Sequence, residues 1–378
     1  MLLIVIGTRP EAIKLAPVVD ALRRYPGVAF EVCLSGQHQG MLHPLLAPLG
    51  LSAASFLTQP PRHPESEQAQ QVRLCAGLGH AIERLSPTAV LVHGDTTTAL
   101  AGALAAHRRG IAVHHVEAGL RTGDPVSPWP EEIHRVMIAR MATLHFAPTV
   151  RARNQLLREG VRPEMIEVTG NTVVDGLFQT RGLLQNSPQF RQSLEEKYLS
   201  PGAGRRLVLA TVHRRENWGR PLQNILTALA RLVEEENVHL LFPVHSNPAV
   251  SLAVRERLGS REGCALLPPL DHRTLVYLLE RMDLVMTDSG GMQEEAAALG
   301  TPLLVLRRNT ERPEGFGVAP MQLGGTNPEE LVERARKLLS TGTVRHPFYG
   351  YGDGRAAPRI AARLAAWFKL QAAESGAA

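Results

Sequence analysis

The chain is short of cysteine, lysine, aromatic rings and long apolar runs, and each shortage excludes something. Cysteine occurs three times in 378 residues, at Cys33, Cys75 and Cys264. So few, so far apart and odd in number, they make neither a disulfide framework nor a zinc knuckle, and they fit a reducing cytoplasm. Lysine occurs only at Lys14, Lys197, Lys337 and Lys369, against 37 arginines. Aromatic residues are 4% of the chain. The arginine doublets are scattered, so there is no basic stripe with interleaved rings for nucleic acid. No apolar run approaches the roughly 18 residues of a membrane span. Residues 1–6 are apolar but lack the basic lead and cleavage site of a signal peptide. Nucleic acid and membrane are therefore not expected as partners, and the modest net charge of +5 suits a small anionic ligand.

What is present is a globular composition, 44% hydrophobic and 20% charged, with length for two domains at roughly 150 residues each. Short runs rich in Val, Ile and Leu at 2–6, 29–34, 89–93, 112–117 and 144–147 alternate with helical spacing. The pattern resumes at 207–211, 239–244, 265–267, 284–287 and 302–306. Short apolar strands joined by crossover helices form parallel sheets covered on both faces. The prediction is an α/β chain of two doubly wound Rossmann-type domains facing a central cleft. The first spans 1–170 and the second 171–357, with a last helix over 358–378. Residues 171–204 read as the domain join followed by a surface loop.

Ligands of such sheets bind beyond the carboxyl ends of the strands, so the residues there carry the functional reading. Gly7-Thr8-Arg9-Pro10-Glu11 follows the first strand and opens a helix, where free amides attract anions. Arg9 is either a ligand contact or a surface cation. Lys14 is a retained lysine in an arginine-rich chain, which hints at a task for a compact ammonium. Asp95, in His93-Gly94-Asp95-Thr96, is either a functional carboxylate or a helix N-cap. Glu117 ends a buried strand, which is costly without a partner or a role. Glu131 and Glu132 open a helix, where they also complement its dipole. In the second half His213 stands beside Arg214 and Arg215, and His245 follows the next strand. Thr287-Asp288-Ser289-Gly290-Gly291 runs a strand into a helix start suited to a diphosphate. Glu295 lies one turn in, placed to accept from a ribose, and Arg312 follows a further strand. No metal-ligand spacing is present.

At these residues the chain resembles the non-hydrolysing UDP-N-acetylglucosamine 2-epimerases. The resemblance is carried by 7–14, Gln37-His38, 93–98, 116–123, 128–132, 169–172, 213–216, 243–245, 288–295 and 310–313, in order along nearly the whole chain. It implies a GT-B-like pair of domains whose final helix crosses back onto the first, a homodimer, and no cofactor or metal. It implies interconversion of UDP-GlcNAc and UDP-ManNAc, by elimination of UDP to a 2-acetamidoglucal and re-addition. By position it implies a catalytic set of Asp95, Glu117, Glu131 and His213, with Lys14 serving catalysis or the phosphates. It assigns UDP contacts to Arg9, His245, Leu275, Ser289, Gly290, Gly291, Glu295 and Arg312. Gln37, His38 and Arg73 match a site for a second, activating UDP-GlcNAc. The chain departs from the family pattern over 60–71, next to Arg73. It departs again at Leu275, where the family has an aromatic ring over uracil and this chain has Tyr277 two residues later. The alternatives are a hydrolysing 2-epimerase releasing ManNAc and UDP, a GT-B glycosyltransferase, and a nucleotide-sugar sensor without turnover.

Overall fold

The computed structural model describes residues 1–51, 55–56, 65–245, 247–340 and 345–376. It divides into two compact units, Met1–Gly176 with Gly352–Ala378, and Leu177–Tyr351. Among the described residues the first unit carries strands β1 (Leu2–Ile6), β2 (Phe30–Leu34), β3 (Ser55–Phe56), β4 (Ala89–His93), β5 (Ala112–Val116), β6 (Leu144–Ala147) and β7 (Ile166–Val168). The second carries β8 (Arg206–Thr211), β9 (Val238–Pro243), β10 (Cys264–Leu267), β11 (Leu284–Thr287), β12 (Leu303–Val305) and β13 (Met321–Leu323).

All the pairings are parallel, and the sheet orders are β3-β2-β1-β4-β5-β6-β7 and β10-β9-β8-β11-β12-β13. In each sheet the order reverses beside the unit's first strand, between β1 and β4 and between β8 and β11. That crevice is where a doubly wound sheet binds its ligand. The central strands are apolar on both faces because helices cover both. β1 and β4 are buried at every position. The fold is the expected pair of doubly wound α/β units of GT-B-like type.

The final helix, Ala356–Gly376, belongs to the first unit. Ala357, Ile360, Ala361 and Leu364 share one core with Leu2, Ile4, Leu15 and Val18. The Asp175 carboxylate accepts the N–H groups of Ala356 and Ala357 at 3.1 and 2.8 Å, capping that helix from within its own unit. The unit boundary does fall within the join expected over 171–204, between Gly176 and Leu177, but most of that stretch is helical, not loop: Thr172–Gln185 and Pro188–Leu194 are helices. Val173, Val174, Leu177 and Leu184 are buried at helical spacing, which offsets the interspersed polar residues. No helix among the described residues is long and apolar enough to cross a membrane.

Besides His93 at the end of β4, the first sheet buries His114 and His115 on β5 and His145 on β6. Burial holds His114 and His115 down at about 3 and His145 at about 4. An unfolded imidazole titrates near 6.5. Below that pH the unfolded chain takes up protons that the native chain refuses, so stability falls as pH drops and is fully present above 6.5. Each of His114, His115 and His145 contributes a slope of up to about 1.4 kcal/mol per pH unit. His114 packs edge-on against Trp367 at 4.6 Å, so His114→Phe preserves the ring contact. Chemical denaturation at a series of pH values from 6.5 to 5 is expected to show a shallower loss of stability in this variant.

Candidate functional site

β1 runs into a turn with no room for a side chain: a Cβ on Gly7 would lie 1.9 Å from Thr98 Oγ1. Thr8 caps the helix Arg9–Leu22, and Glu11 completes a capping box. The Glu11 carboxylate accepts from Gly7 N at 2.9 Å, Thr8 N at 2.7 Å and the Thr96 hydroxyl at 2.6 Å. Burial pushes its pKa up despite these bonds. Glu11 thus ties the turn after β1 to the turn after β4, and Arg9 sits half-buried at the first helical position.

Lys14, on the next turn, is buried, and its Nζ lies 2.5 Å from Glu117 Oε2. The same oxygen accepts from Asn171 Nδ2 at 2.8 Å and lies 3.6 Å from His93 Nε2. Glu117 is one residue beyond β5 and has φ of +65°. That left-handed backbone is costly for a branched-off carboxylate and persists only where surroundings enforce it. The sequence therefore bends the chain sharply at the strand end to aim this carboxylate at a lysine. A close Lys–Glu pair, both members buried, keeps the carboxylate charged and still, as a proton acceptor needs.

Asp95 is not the N-cap. Thr96 caps the helix Thr97–His107, its hydroxyl accepting from Ala99 N. Asp95 instead pairs with Arg135 at 2.6 Å, and Arg135 reaches Glu132 at 2.9 Å. Glu132 also accepts the N–H groups of Thr122 and Gly123 at 3.1 and 3.0 Å. Of the two carboxylates opening the helix Glu131–Met141, Glu132 is a structural anchor. Glu131, half-buried beside it, remains the site candidate. His134 bonds the Asp95 carbonyl at 2.8 Å. Asp95 and Glu117 thus follow adjacent strands and are held by separate cations.

In the second unit His213 and Asp288 meet beyond β8 and β11. Asp288 is fully buried and its Oδ1 lies 2.9 Å from His213 Nδ1. Burial would raise its carboxyl, but the His213 charge and the surrounding donors prevail and bring it down to about 2. Its stabilising contribution is therefore present above about pH 4 and lost only as pH falls towards 2. Ser289 caps the helix Gly290–Leu299. A Cβ on Gly290 would lie 2.5 Å from Arg312 Nη1, so the guanidinium packs on the helix opening only because Gly290 is bare. Arg312 is buried, with Nε 3.0 Å from Glu294 and Nη1 on Glu311. Glu311 also pairs with Arg307 at 2.8 Å and Arg214 at 3.5 Å. Amides at a helix start, next to a fixed guanidinium, form an anion cradle. Glu295 is buried and bonds His272 at 3.1 Å. His245 is half-buried, and its Nδ1 accepts from Asn247 N at 3.1 Å. Burial, then the charge of His213, lowers its pKa. Leu275 is half-buried, whereas Tyr277 is 1% exposed with its hydroxyl on Glu195, so it is no ring for a ligand here.

The three activator candidates sit in different settings. Gln37 Oε1 accepts from Thr98 N at 3.1 Å and Thr98 Oγ1 at 2.6 Å. His38 is exposed. Arg73 pairs with Glu65. The sequence reading assigned no role to Asn171, Asp288 or Glu311. For Asp288 the signal was available: a carboxylate directly after the all-buried strand β11 needs a partner as much as Glu117 does.

Residues 20–365 match the family described as UDP-N-acetylglucosamine 2-epimerase. A UDP-N-acetylglucosamine 2-epimerase of Yersinia pestis is 42% identical over 369 residues, covering 95% of this chain and 96% of the relative. A putative one from Thermotoga maritima is 44% identical, covering 94% of each. Among solved structures, the UDP-GlcNAc 2-epimerase of Neisseria meningitidis bound to UDP-GlcNAc aligns with a TM-score of 0.91 at 34% identity, covering 96% of this chain and 99% of that one. That of Methanocaldococcus jannaschii, in complex with UDP-GlcNAc and UDP, aligns at 0.83 and 31%, covering 96% and 99%.

The Lys14–Glu117 pair makes a prediction that needs no substrate. Lys14→Met strands a buried carboxylate and is expected to cost about 3 kcal/mol at neutral pH. Adding Glu117→Gln is expected to recover at least half of that loss, as measured by denaturation of the two single variants and the double variant.

Proposed function

The chain belongs to the UDP-N-acetylglucosamine 2-epimerase family, and from that premise we propose that it interconverts UDP-GlcNAc and UDP-ManNAc without hydrolysing either. The observation that carries the reading is Glu117, a buried carboxylate held in left-handed backbone against Lys14 and Asn171. A glycosyltransferase needs no proton acceptor for C2, and a hydrolysing 2-epimerase, which does need one, is told apart by its products, free ManNAc and UDP.

The C2 proton of an N-acetylhexosamine is weakly acidic, and no neighbouring carbonyl stores its electrons. Departure of UDP solves this. As a base takes the C2 proton, the C–H electrons form the C1–C2 double bond and the C1–O bond breaks, giving 2-acetamidoglucal and UDP. A proton then reaches C2 from the opposite face, and a UDP oxygen attacks C1 to give the epimer. In this reading Asp95, Glu117 and Glu131 of the first unit carry the proton transfers and support the sugar. Lys14 keeps Glu117 ionised. His213, Arg9, Arg312 and the Ser289-Gly290-Gly291 turn take up the charge growing on the diphosphate. Glu295 accepts from the ribose, His245 contacts the nucleotide, and Leu275 covers the uracil. Gln37, His38 and Arg73 are assigned to an activating second UDP-GlcNAc.

The reading includes a homodimer in the cytoplasm. The exposed apolar side chains of Trp129, Ile133, Val136 and Met137 are a candidate face for the second copy. The three cysteines are free, as in a reducing compartment.

In heavy water UDP-GlcNAc is expected to gain deuterium at C2 and to equilibrate with UDP-ManNAc; intact binding without exchange would refute the reading. Glu117→Gln is expected to lower kcat by at least about 100-fold while UDP still binds. Gly290→Ala, which displaces Arg312, is expected to weaken UDP binding by at least about tenfold, read by calorimetric titration.

A further inference from the structure

We infer that Asp288 is a positioning residue for His213: it fixes the proton on Nδ1 and so presents Nε2 as the working nitrogen. The inference rests on the epimerase reading for what the imidazole acts upon, but its geometry stands alone.

β8 and β11 are neighbours, with Thr211 opposite Thr287 and their hydroxyls 2.6 Å apart. The chain leaves both strands at the reversal point of the sheet. His213 and Asp288 therefore meet where a ligand of this sheet belongs. Around the fully buried Asp288 carboxylate the donors close in. Arg214 N and Asn217 Nδ2 reach Oδ2 at 2.9 Å each, and His213 N reaches the two oxygens at 3.2 and 3.1 Å. An ionised carboxylate only accepts, so the imidazole nitrogen 2.9 Å from Oδ1 must carry a hydrogen. Nε2 is left to exchange protons or to bond an oxyanion, and the His213 side chain is 45% exposed, as that task requires.

Two further contacts hold the pair in place. Asp288 directly precedes Ser289, the cap of the anion-binding helix. Its carbonyl accepts Arg214 Nε at 2.9 Å. One residue thus sets the imidazole, a neighbouring arginine and the phosphate turn against each other. The contact to Nδ1 is not needed to order residues 213–217, because the backbone and Asn217 bonds already do that. It serves the imidazole.

The test is nitrogen-15 NMR of the full chain labelled at histidine, with His213 assigned by its loss in His213→Asn. Neutral His213 is expected wholly as the Nδ1–H tautomer. In Asp288→Asn it is expected to become a mixture, whereas Asn217→Ala, which removes a structural bond only, retains the single tautomer. In the same Asp288→Asn variant kcat is expected to fall about 100-fold or more with KM changed less than about threefold. An Nε2–H tautomer in the unmodified protein, or an unchanged tautomer in Asp288→Asn, overturns the inference. Should Asp288→Asn fail to fold, the tautomer of the unmodified protein decides. A locked Nδ1–H in a chain that does not epimerise UDP-GlcNAc leaves the positioning role standing and removes the functional reading instead.

Discussion

A carboxylate at the end of a buried parallel strand has lost its water and must find a cation or a set of donors. The two sheets meet this demand in the same way. Glu117 after β5 is held by Lys14 and Asn171, and Asp95 after β4 by Arg135. Asp288 after β11 is held by His213 and two further donors, Arg214 N and Asn217 Nδ2. Each pairing costs desolvation that its Coulombic attraction only partly returns. Such groups are poor choices for stability and good ones for fixed charge, since packing around them prevents them from moving or changing protonation at random.

The scaffold makes these pairings possible by placing strand ends side by side. His93 and Val116 are register partners on β4 and β5, and Thr211 and Thr287 on β8 and β11. Residues one or two steps beyond them emerge together at the same edge. Glycine does the rest at two points: Gly7 allows Thr98 to approach, and Gly290 allows Arg312 to lie on a helix opening. Each unit buries acids against cations beyond its strand ends, Glu117 and Glu132 with Lys14 and Arg135 in the first, Glu294 and Glu311 with Arg312 and Arg307 in the second.

Much of this was legible in the sequence, because the central strands are continuous apolar runs bounded by turns. The runs at 2–6, 89–93, 144–147 and 284–287 coincide with β1, β4, β6 and β11. The short edge strands β3, β7 and β13, two or three residues each, have too few side chains to show a pattern. The helix Thr172–Gln185 was hidden by Asp, Gly, Gln and Arg between its buried apolar positions. At the site, chain position alone marked Glu117 and the Ser289-Gly290-Gly291 turn. It did not distinguish Asp95 as a paired carboxylate from Asp95 as a cap, nor Glu131 from the anchored Glu132, since those differences lie in Arg135, 40 residues away from Asp95 along the chain. Asn171 was invisible as a partner of Glu117 for the same reason, being 54 residues away.

The central claim is that the bond between C1 and the diphosphate oxygen breaks as C2 loses its proton, with fixed charges accepting what is released. A heavy-oxygen label in the bridge between C1 and the β-phosphate tests it directly, followed by phosphorus NMR during turnover. The label is expected to migrate into non-bridging positions of the β-phosphate as UDP departs, turns and returns. Epimerisation with the label still confined to the bridge would contradict it.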